Sequence, residues 1–590
     1  MRDKKTRSAD SGALNRRRFV QGLASVTCGT AGLVRAGSLL PAAELLEPDG
    51  KAVLLSVAPM SFNVTGRSRI ATAANDSVPG PCLRLRQGDV LTARVTNRLA
   101  EPTSIHWHGI RLPTDQDGVP GLSFRGIAPG TTFTYQFPIT QSGTYWYHSH
   151  SGMQEQTGLY GPLILVPRDP EPYGYDRDYV VMLSDWTDED PMAVLSNLKQ
   201  QSDYYDYQRR TLATFVTDAD RLGLRAAAAE RRMWDRMRMS PTDLMDVTGA
   251  TYTFLVNGQP PSMNWTALFT AGEKLRLRFI NAASMTTFDV RIPGLTMSVV
   301  AADGGDIQPV EVEEFRIGAA ETYDVIVKPG SDPAYTIFAQ AFDRSGYARA
   351  TLATHAGAAA AIPVLDPRPL RTMADMGMQM TASQPAMDMS KMNMSQMSMA
   401  DMTAMMATPS ALAAINADGV DPARMRGQPS VDHLAEHPLN RLGEAGTGLD
   451  DNGRRVLLYS DLRSLRPDTD SRPVDRDLEF RLTGNMERWV WGFDGKKFSE
   501  AGPVRLRLGE RVRFVLVNDT MMEHPIHLHG FLFALENGQD GSLPIKHTIN
   551  VKPNERLSFL FTADTPGFWA FHCHLMLHMD AGMFRTVVVA

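Results

Sequence analysis

Val504-Arg505-Leu506-Arg507-Leu508-Gly509-Glu510-Arg511-Val512-Arg513-Phe514-Val515-Leu516-Val517-Asn518 reads as a strand, a Gly-Glu turn, a second strand and a closing Asn. Apolar residues alternate with arginines beside the turn, the period-two pattern of a half-buried strand. The same order occurs twice earlier, from Gly88-Asp89 to Asn97 around Val90-Leu91-Thr92-Ala93-Arg94-Val95, and from Gly272-Glu273 to Asn281 around Leu275-Arg276-Leu277-Arg278-Phe279-Ile280. An internal repeat of this size implies three copies of one β domain, over about 51–170, 175–365 and 455–590. Further short runs between Gly and Pro turns, such as Thr132-Phe133-Thr134-Tyr135-Gln136-Phe137 and Tyr323-Asp324-Val325-Ile326-Val327, place each copy in the sandwich or barrel class. An Ala- and Arg-rich stretch near 205–240 reads as a helical insertion in the second copy.

At 590 residues, with 43% hydrophobic and 21% charged residues, the chain is long enough for about three or four domains with cores of their own. Its 3 Cys exclude a disulfide-stapled scaffold, whereas 14 His and 32 Met are the unusual feature of its composition. The net charge of −6 gives no basis for a nucleic-acid footprint. Asn15-Arg16-Arg17-Arg18-Phe19-Val20-Gln21 followed by a short apolar run through Leu33 and Val34 has the layout of a twin-arginine export signal over residues 1–36. Val34-Arg35-Ala36 is the preferred cleavage boundary, and Pro41-Ala42-Ala43 also fits. Without residues 1–36 the chain carries 52 Lys and Arg against 64 Asp and Glu, a net charge of −12, and Cys28 leaves with the signal.

Between the second and third copies, over 366–450, the β pattern stops and a flexible insertion is expected. Residues 373–406 hold thirteen Met among Ala, Ser, Asp, Gln and Thr. A disordered linker is one reading. The other uses the thioether as a soft ligand that selects Cu(I), because Met387-Asp388-Met389 and Met392-Asn393-Met394 put several sulfurs within reach of one ion without a fold.

Ten of the fourteen histidines fall in four clusters: His106-Trp107-His108, His148-Ser149-His150, His524-Pro525-Ile526-His527-Leu528-His529, and His572-Cys573-His574 followed by His578 and Met583. A strand sends alternate side chains to one face, so each His-x-His pair aims two imidazoles at the same side, and four pairs supply eight. His524 and Cys573 have the opposite parity to their neighbours. Two linked metal sites follow: one of eight imidazoles, and one of His524, Cys573, His578 and a weak axial Met583, the ligand set of a blue-copper electron-transfer centre. Zinc is disfavoured, since its structural sites close at four ligands and its catalytic sites use three.

These motifs resemble those of the multicopper oxidases. In its twin-arginine leader, its Met-rich insertion, Met237-Arg238-Met239-Ser240-Pro241-Thr242-Asp243-Leu244 and Gly484-Asn485-Met486-Glu487-Arg488, the chain is similar over nearly its whole length to the periplasmic copper-resistance oxidases, the CopA or PcoA group. The resemblance implies three consecutive cupredoxin-like Greek-key β-sandwich domains, an all-β fold, with the Met-rich insertion before the third. It implies four copper ions. Type 1 copper falls to His524, Cys573, His578 and Met583, and type 2 copper to His106 and His527. In the type 3 pair, His108, His148 and His574 take one ion and His150, His529 and His572 the other, with Asp117 delivering protons and Cys573 passing electrons inward. Dioxygen reduction to two waters takes four electrons, which four coppers can store. The second domain, with no His between 151 and 354, is expected to be a copper-free spacer.

The implied enzyme is a periplasmic monomer that oxidises Cu(I) with dioxygen in copper resistance, with additional Cu(I) on the Met-rich segment. Met521, Met522, Met576 and Met579, close in sequence to type 1 ligands, favour cuprous ion. Laccase-like oxidation of phenols, or copper sequestration without catalysis, are the alternatives, and periplasmic copper-handling proteins are the implied partners. No transmembrane segment is expected in the mature chain. Cys82 reads as a core thiol, Met233, Met237 and Met239 as helix core, and His433 and His437 as part of a solvated loop, while His355 and His547 have no partners in the sequence.

Overall fold

The three repeat glycines, Gly88, Gly272 and Gly509, all adopt positive φ, at 99°, 86° and 85°. Nothing lies within 4 Å of where a Cβ would sit on any of them, so it is the left-handed backbone of the turn, rather than space, that requires glycine. The closing asparagines explain the other half of the motif. Asn97, Asn281 and Asn518 are fully buried, and each amide donates to two backbone carbonyls: Glu101 and Ile127 for the first, Thr286 and Ile317 for the second, Met522 and Val551 for the third. Each Oδ1 accepts from the backbone N–H two residues on, an Asx turn. One side chain thus pins the loop that leaves the strand three times over, to a strand of the facing sheet in the second and third copies and to the Ile127 segment in the first. In the first and third copies that loop runs into His106 and His524; in the second it runs into Ser284 and Met285, which explains why the same frame there carries no imidazole.

The computed structural model describes residues 45–46, 52–237, 239–373, 375–376, 415–416, 422–467 and 470–590. The export signal with Cys28, and most of the Met-rich stretch, lie outside the described residues. Six sheets form three consecutive Greek-key sandwiches. The first packs a four-stranded sheet on a five-stranded one ordered Leu45–Leu46, Cys82–Arg86, Tyr160–Val166, Gly143–His148, His106–His108. The second pairs six- and five-stranded sheets. The third packs a sheet built around Arg476–Asn485 and Arg511–Asn518 on one ordered Val504–Leu506, Phe584–Val589, Gly567–Cys573, His524–Leu528, Thr548–Val551. One continuous apolar core runs through all three. The helical insertion comprises Pro191–Gln200, Leu212–Leu222 and Leu224–Met237, and Met233, Met237 and Met239 pack against that core as expected.

The flexible insertion expected over 366–450 is packed at both ends. Arg371, Met373 and Met376 before the Met-rich stretch, and Met425, Val431, Leu434 and Leu442 after it, are buried. Among the described residues of this stretch, the absence of strand periodicity reflects irregular chain packed on the second copy before the Met-rich stretch and on the third after it.

Candidate metal centre

Register places the ligands. His106 pairs across the sheet with His148, and His527 with His572, so each couple faces the same side. Ile526 pairs with Cys573 and faces the other side, the side of His524. The parity read from the sequence is therefore realised, and one strand, Gly567–Cys573, serves two sites.

The first site lies between the edge of the first sandwich and the middle of the third. His106 stacks on His529 with ring centroids 3.9 Å apart, and His108 on His527 at 3.8 Å. Ligand atoms of His108, His148 and His574 lie within 4.8 Å of one another, as do those of His106, His150 and His529 and those of His106, His108 and His527. His572 joins through its Nε2, 3.0 Å from that of His529. Nε2 of His106, His148, His150, His527 and His574 and Nδ1 of His108 are buried without a hydrogen-bond partner among the described residues. An unsatisfied buried polar atom costs about 1–3 kcal/mol. Six inward atoms carry that cost, and the facing nitrogens of His529 and His572 bring the converging set to eight, the donor arrangement of a polynuclear metal site. Burial first, and neighbouring imidazoles second, lower His108, His148, His150, His527 and His529 well below the ordinary histidine range. His572 falls to about 4, chiefly by burial. Burial therefore favours the neutral form of these six rings, the state in which imidazole binds metal.

The outward nitrogens of six of the eight rings meet polar partners, which fixes tautomer and tilt there. His106 Nδ1 lies 2.9 Å from the Asp117 carbonyl and 3.2 Å from Asp117 Oδ1, and His529 Nδ1 lies 2.8 Å from Asp117 Oδ2. Asp117 thus spans two rings from different sandwiches. His527 Nδ1 meets the His547 carbonyl at 2.6 Å, and His572 Nδ1 meets that of Cys573 at 2.9 Å. His547, without a partner in the sequence, is fully buried with Nδ1 3.2 Å from His108 Nε2. Glu155, also not picked out by sequence reasoning, has Oε2 2.6 Å from His148 Nδ1. Nothing in a lone Glu five residues after His150 signals this contact.

In the second site, Cys573 Sγ lies 3.5 Å from His524 Nδ1 and 3.9 Å from His578 Nδ1, and those two nitrogens are 3.2 Å apart. Met583 is fully buried beside them: its N–H donates to the His578 carbonyl, and its own carbonyl accepts from Cys573 N–H. The far nitrogen of His524 meets Thr520 Oγ1 at 2.7 Å and that of His578 meets Asp246 Oδ2 at 2.8 Å, while Trp491 stacks on His578 at 4.0 Å. Asp246, in a loop of the second sandwich, carried no sequence signal. Burial raises the Cys573 thiol, so ionisation there needs a bound cation to offset desolvation. Thiolate, two imidazoles and a thioether fit copper. Of the remaining candidates, Cys82 is buried with its thiol pushed up to about 12. His355 and His437 are exposed, and His433 lies in the same irregular loop as His437.

Family models described as multicopper oxidase match residues 56–170, 177–362 and 471–590. Copper resistance protein A of Pseudomonas syringae pv. tomato is 52% identical, with 98% of this chain and 99% of the relative covered. Copper resistance protein A of Escherichia coli is 50% identical over the same shares. Among solved structures, Fet3p, a multicopper oxidase that functions in iron import, superposes with a TM-score of 0.61 at 19% identity, covering 91% of this chain and 90% of that one. A laccase from Botrytis aclada gives a TM-score of 0.59 at 22% identity, covering 93% of this chain and 88% of that one.

Proposed function

This chain belongs to the multicopper oxidase family, and from that membership we propose that it is a periplasmic cuprous oxidase of copper resistance, exported by the twin-arginine route. The reaction is 4 Cu(I) + O2 + 4 H+ → 4 Cu(II) + 2 H2O. What bound copper supplies is storage for four electrons, so that donors giving one each can reduce dioxygen fully. We assign the type 1 ion to His524, Cys573, His578 and Met583, the type 2 ion to His106 and His527, and the type 3 pair to His108, His148 and His574 with His150, His529 and His572. The protein's own part is preorganisation. Cys573 is bonded through the backbone to His572 and His574, so its thiolate is joined to the eight-imidazole site by a few covalent bonds. Asp117 orients His106 and His529 and is the group we assign to proton delivery, at Oδ2 beside His529 Nδ1. A copper-free second domain over 175–365 fits the absence of histidine ligands there. Among the described residues no helix is long and apolar enough to cross a membrane.

The observation that favours Cu(I) over phenols is where the Met-rich segment is anchored. Before it, Arg371 Nη2 lies 3.5 Å from Glu523 Oε1, the residue preceding His524. After it, Ala435 N–H donates to Asp519 Oδ1 at 2.7 Å, in the same loop. Both flanks are therefore tied to the segment that delivers a type 1 ligand, and Met521, Met522 and Met576 are buried around it. Deleting 377–406 tests the proposal: Cu(I)-driven oxygen uptake should fall while phenol oxidation holds. Unchanged cuprous oxidation with a collapsed copper-binding capacity would turn the reading to sequestration.

A further inference from the structure

Three consecutive polar side chains, Gln154, Glu155 and Gln156, are each at most 4% exposed. They diverge. Gln154 holds the His-Ser-His loop to its own sandwich: its Oε1 accepts from Thr103 Oγ1 at 2.6 Å and Ser149 Oγ at 3.0 Å, and its Nε2 donates to the Pro102 carbonyl at 2.9 Å. Gln156 reaches the second sandwich, where Ser284 Oγ and Tyr252 OH donate to its Oε1 and the Asp185 carbonyl accepts from its Nε2. Ser284 in turn accepts, through its carbonyl, from the N–H of Met576, two residues past His574.

Glu155, between them, turns to the imidazoles. Oε2 lies 2.6 Å from His148 Nδ1, whose other neighbour is the Ser149 carbonyl at 3.3 Å. Oε1 lies 4.0 Å from His574 Nδ1, and both of those atoms are buried with no hydrogen-bond partner among the described residues. The opposite face of the His148 ring is covered by Trp146, stacked at 4.2 Å and 17°. A buried carboxyl group is expensive unless something offsets it, and here the His148 imidazole meets one oxygen while the other faces His574. The arrangement repeats that of Asp117. Each carboxylate spans one ring from the first sandwich and one from the third: His106 and His529 for Asp117, His148 and His574 for Glu155.

We propose that Glu155 is a positioning residue of the eight-imidazole site, clamping His148 and His574, two of the three ligands assigned to one type 3 ion, one from each of two sandwiches. With copper held by these rings, a hydrogen bond from His574 Nδ1 to Glu155 Oε1 would satisfy both unpartnered atoms and fix the ring as outer partners of metal-bound histidines do. The inference rests on the type 3 assignment made above.

The test compares Glu155→Ala, Glu155→Gln and Gln156→Ala in the full chain. Copper is counted per chain after dialysis against graded chelator, and the near-ultraviolet absorption of the coupled pair and the visible copper–thiolate band are recorded on the same samples. Glu155→Ala should weaken retention of type 3 copper about 10–100-fold, the usual cost of losing an outer-shell partner, and lose the near-ultraviolet band while keeping the visible one. Glu155→Gln, which keeps an acceptor for His148 Nδ1, should recover most of that loss. Gln156→Ala, which cuts the tie to the second sandwich without touching a ligand, should lower the melting temperature of the copper-free protein yet keep the type 3 signal. Full retention in Glu155→Ala overturns the proposal, as does equal loss in Gln156→Ala, since the effect would then be loop stability. A wild-type protein lacking the coupled pair would overturn the underlying assignment instead.

Discussion

Asp117 performs two tasks in the proposed reaction, and the structure allows them to be separated by substitution. Its carboxylate is 1% exposed, with Oδ2 2.8 Å from His529 Nδ1 and Oδ1 3.2 Å from His106 Nδ1, but His106 also has the Asp117 carbonyl at 2.9 Å. In Asp117→Ala, His106 keeps that carbonyl and His529 loses its partner. One charge-assisted bond is worth about 1.5–3 kcal/mol, roughly 10–100-fold in an equilibrium constant. Retention of the ion assigned to His150, His529 and His572 should weaken by that factor, read as copper per chain against chelator. In Asp117→Asn one amide oxygen can still accept from His529, so copper retention should stay within about tenfold of wild type. The amide cannot carry a proton, however, and general acid–base assistance is worth about 10²–10⁴-fold. Cu(I)-driven oxygen uptake by the four-copper Asn variant should therefore fall by at least about tenfold. An Asn variant that turns over at the wild-type rate would refute proton delivery by Asp117, and an Ala variant that holds four coppers as tightly as wild type would refute its orienting role.

Met583→Leu removes the axial thioether and should raise the type 1 potential, measured by redox titration with the visible band retained; an unchanged or lowered potential would count against the axial assignment. Cys573→Ser should abolish the copper–thiolate absorption and turnover together while leaving three coppers bound. Arg481 grips Asp519 with bonds of 2.6 and 2.7 Å, both side chains buried, so Arg481→Ala leaves a buried carboxylate without its counter-charge and with only the Ala435 N–H bond of these three, at a cost of about 3–5 kcal/mol. The melting temperature should drop by several degrees, and an unaltered one would show the pair to be energetically idle. Because burial holds the Cys82 thiol up to about 12, it stays protonated at pH 8, and mass spectrometry after alkylation should find it unlabelled in the native protein and labelled in denaturant.

Most of the candidate metal site was legible because it depends on local periodicity. A two-residue spacing fixes which face a side chain takes whatever the partner strand, and the couples His527–His572 and Ile526–Cys573 obey it. The fold was legible for a similar reason: a positive-φ glycine and a buried asparagine are local demands, and they recur three times. What escaped depends on distant chain. Glu155, Asp246 and His547 meet their imidazoles only because the sandwiches are docked, and no spacing encodes that 332 residues separate His578 from its carboxylate. The packed ends of the 366–450 stretch escaped for another reason. Irregular segments bury single residues such as Arg371 and Met425 without a period to betray them.

The second sandwich, read from the sequence as a spacer, does more than separate the other two. Asp246 reaches His578 at 2.8 Å. Asp303 Oδ2 accepts from the N–H groups of His547 and Thr548 at 3.2 and 3.1 Å and lies 3.1 Å from Lys546 Nζ, fixing the segment whose carbonyl holds His527. Asp185 orders Ser284, which bonds both Gln156 and the chain just past His574. Three carboxylates from a part of the chain without ligands thus brace both metal sites. Metal ligands must face inward on short strands, and their outward nitrogens then need acceptors that those same strands cannot supply. A third copy of the fold, free of histidine at the pinned loop, supplies one such acceptor in Asp246 and, through Asp303 and Asp185, anchors for the segments beside two other candidate ligands, which gives a physical reason for it to persist between the other two.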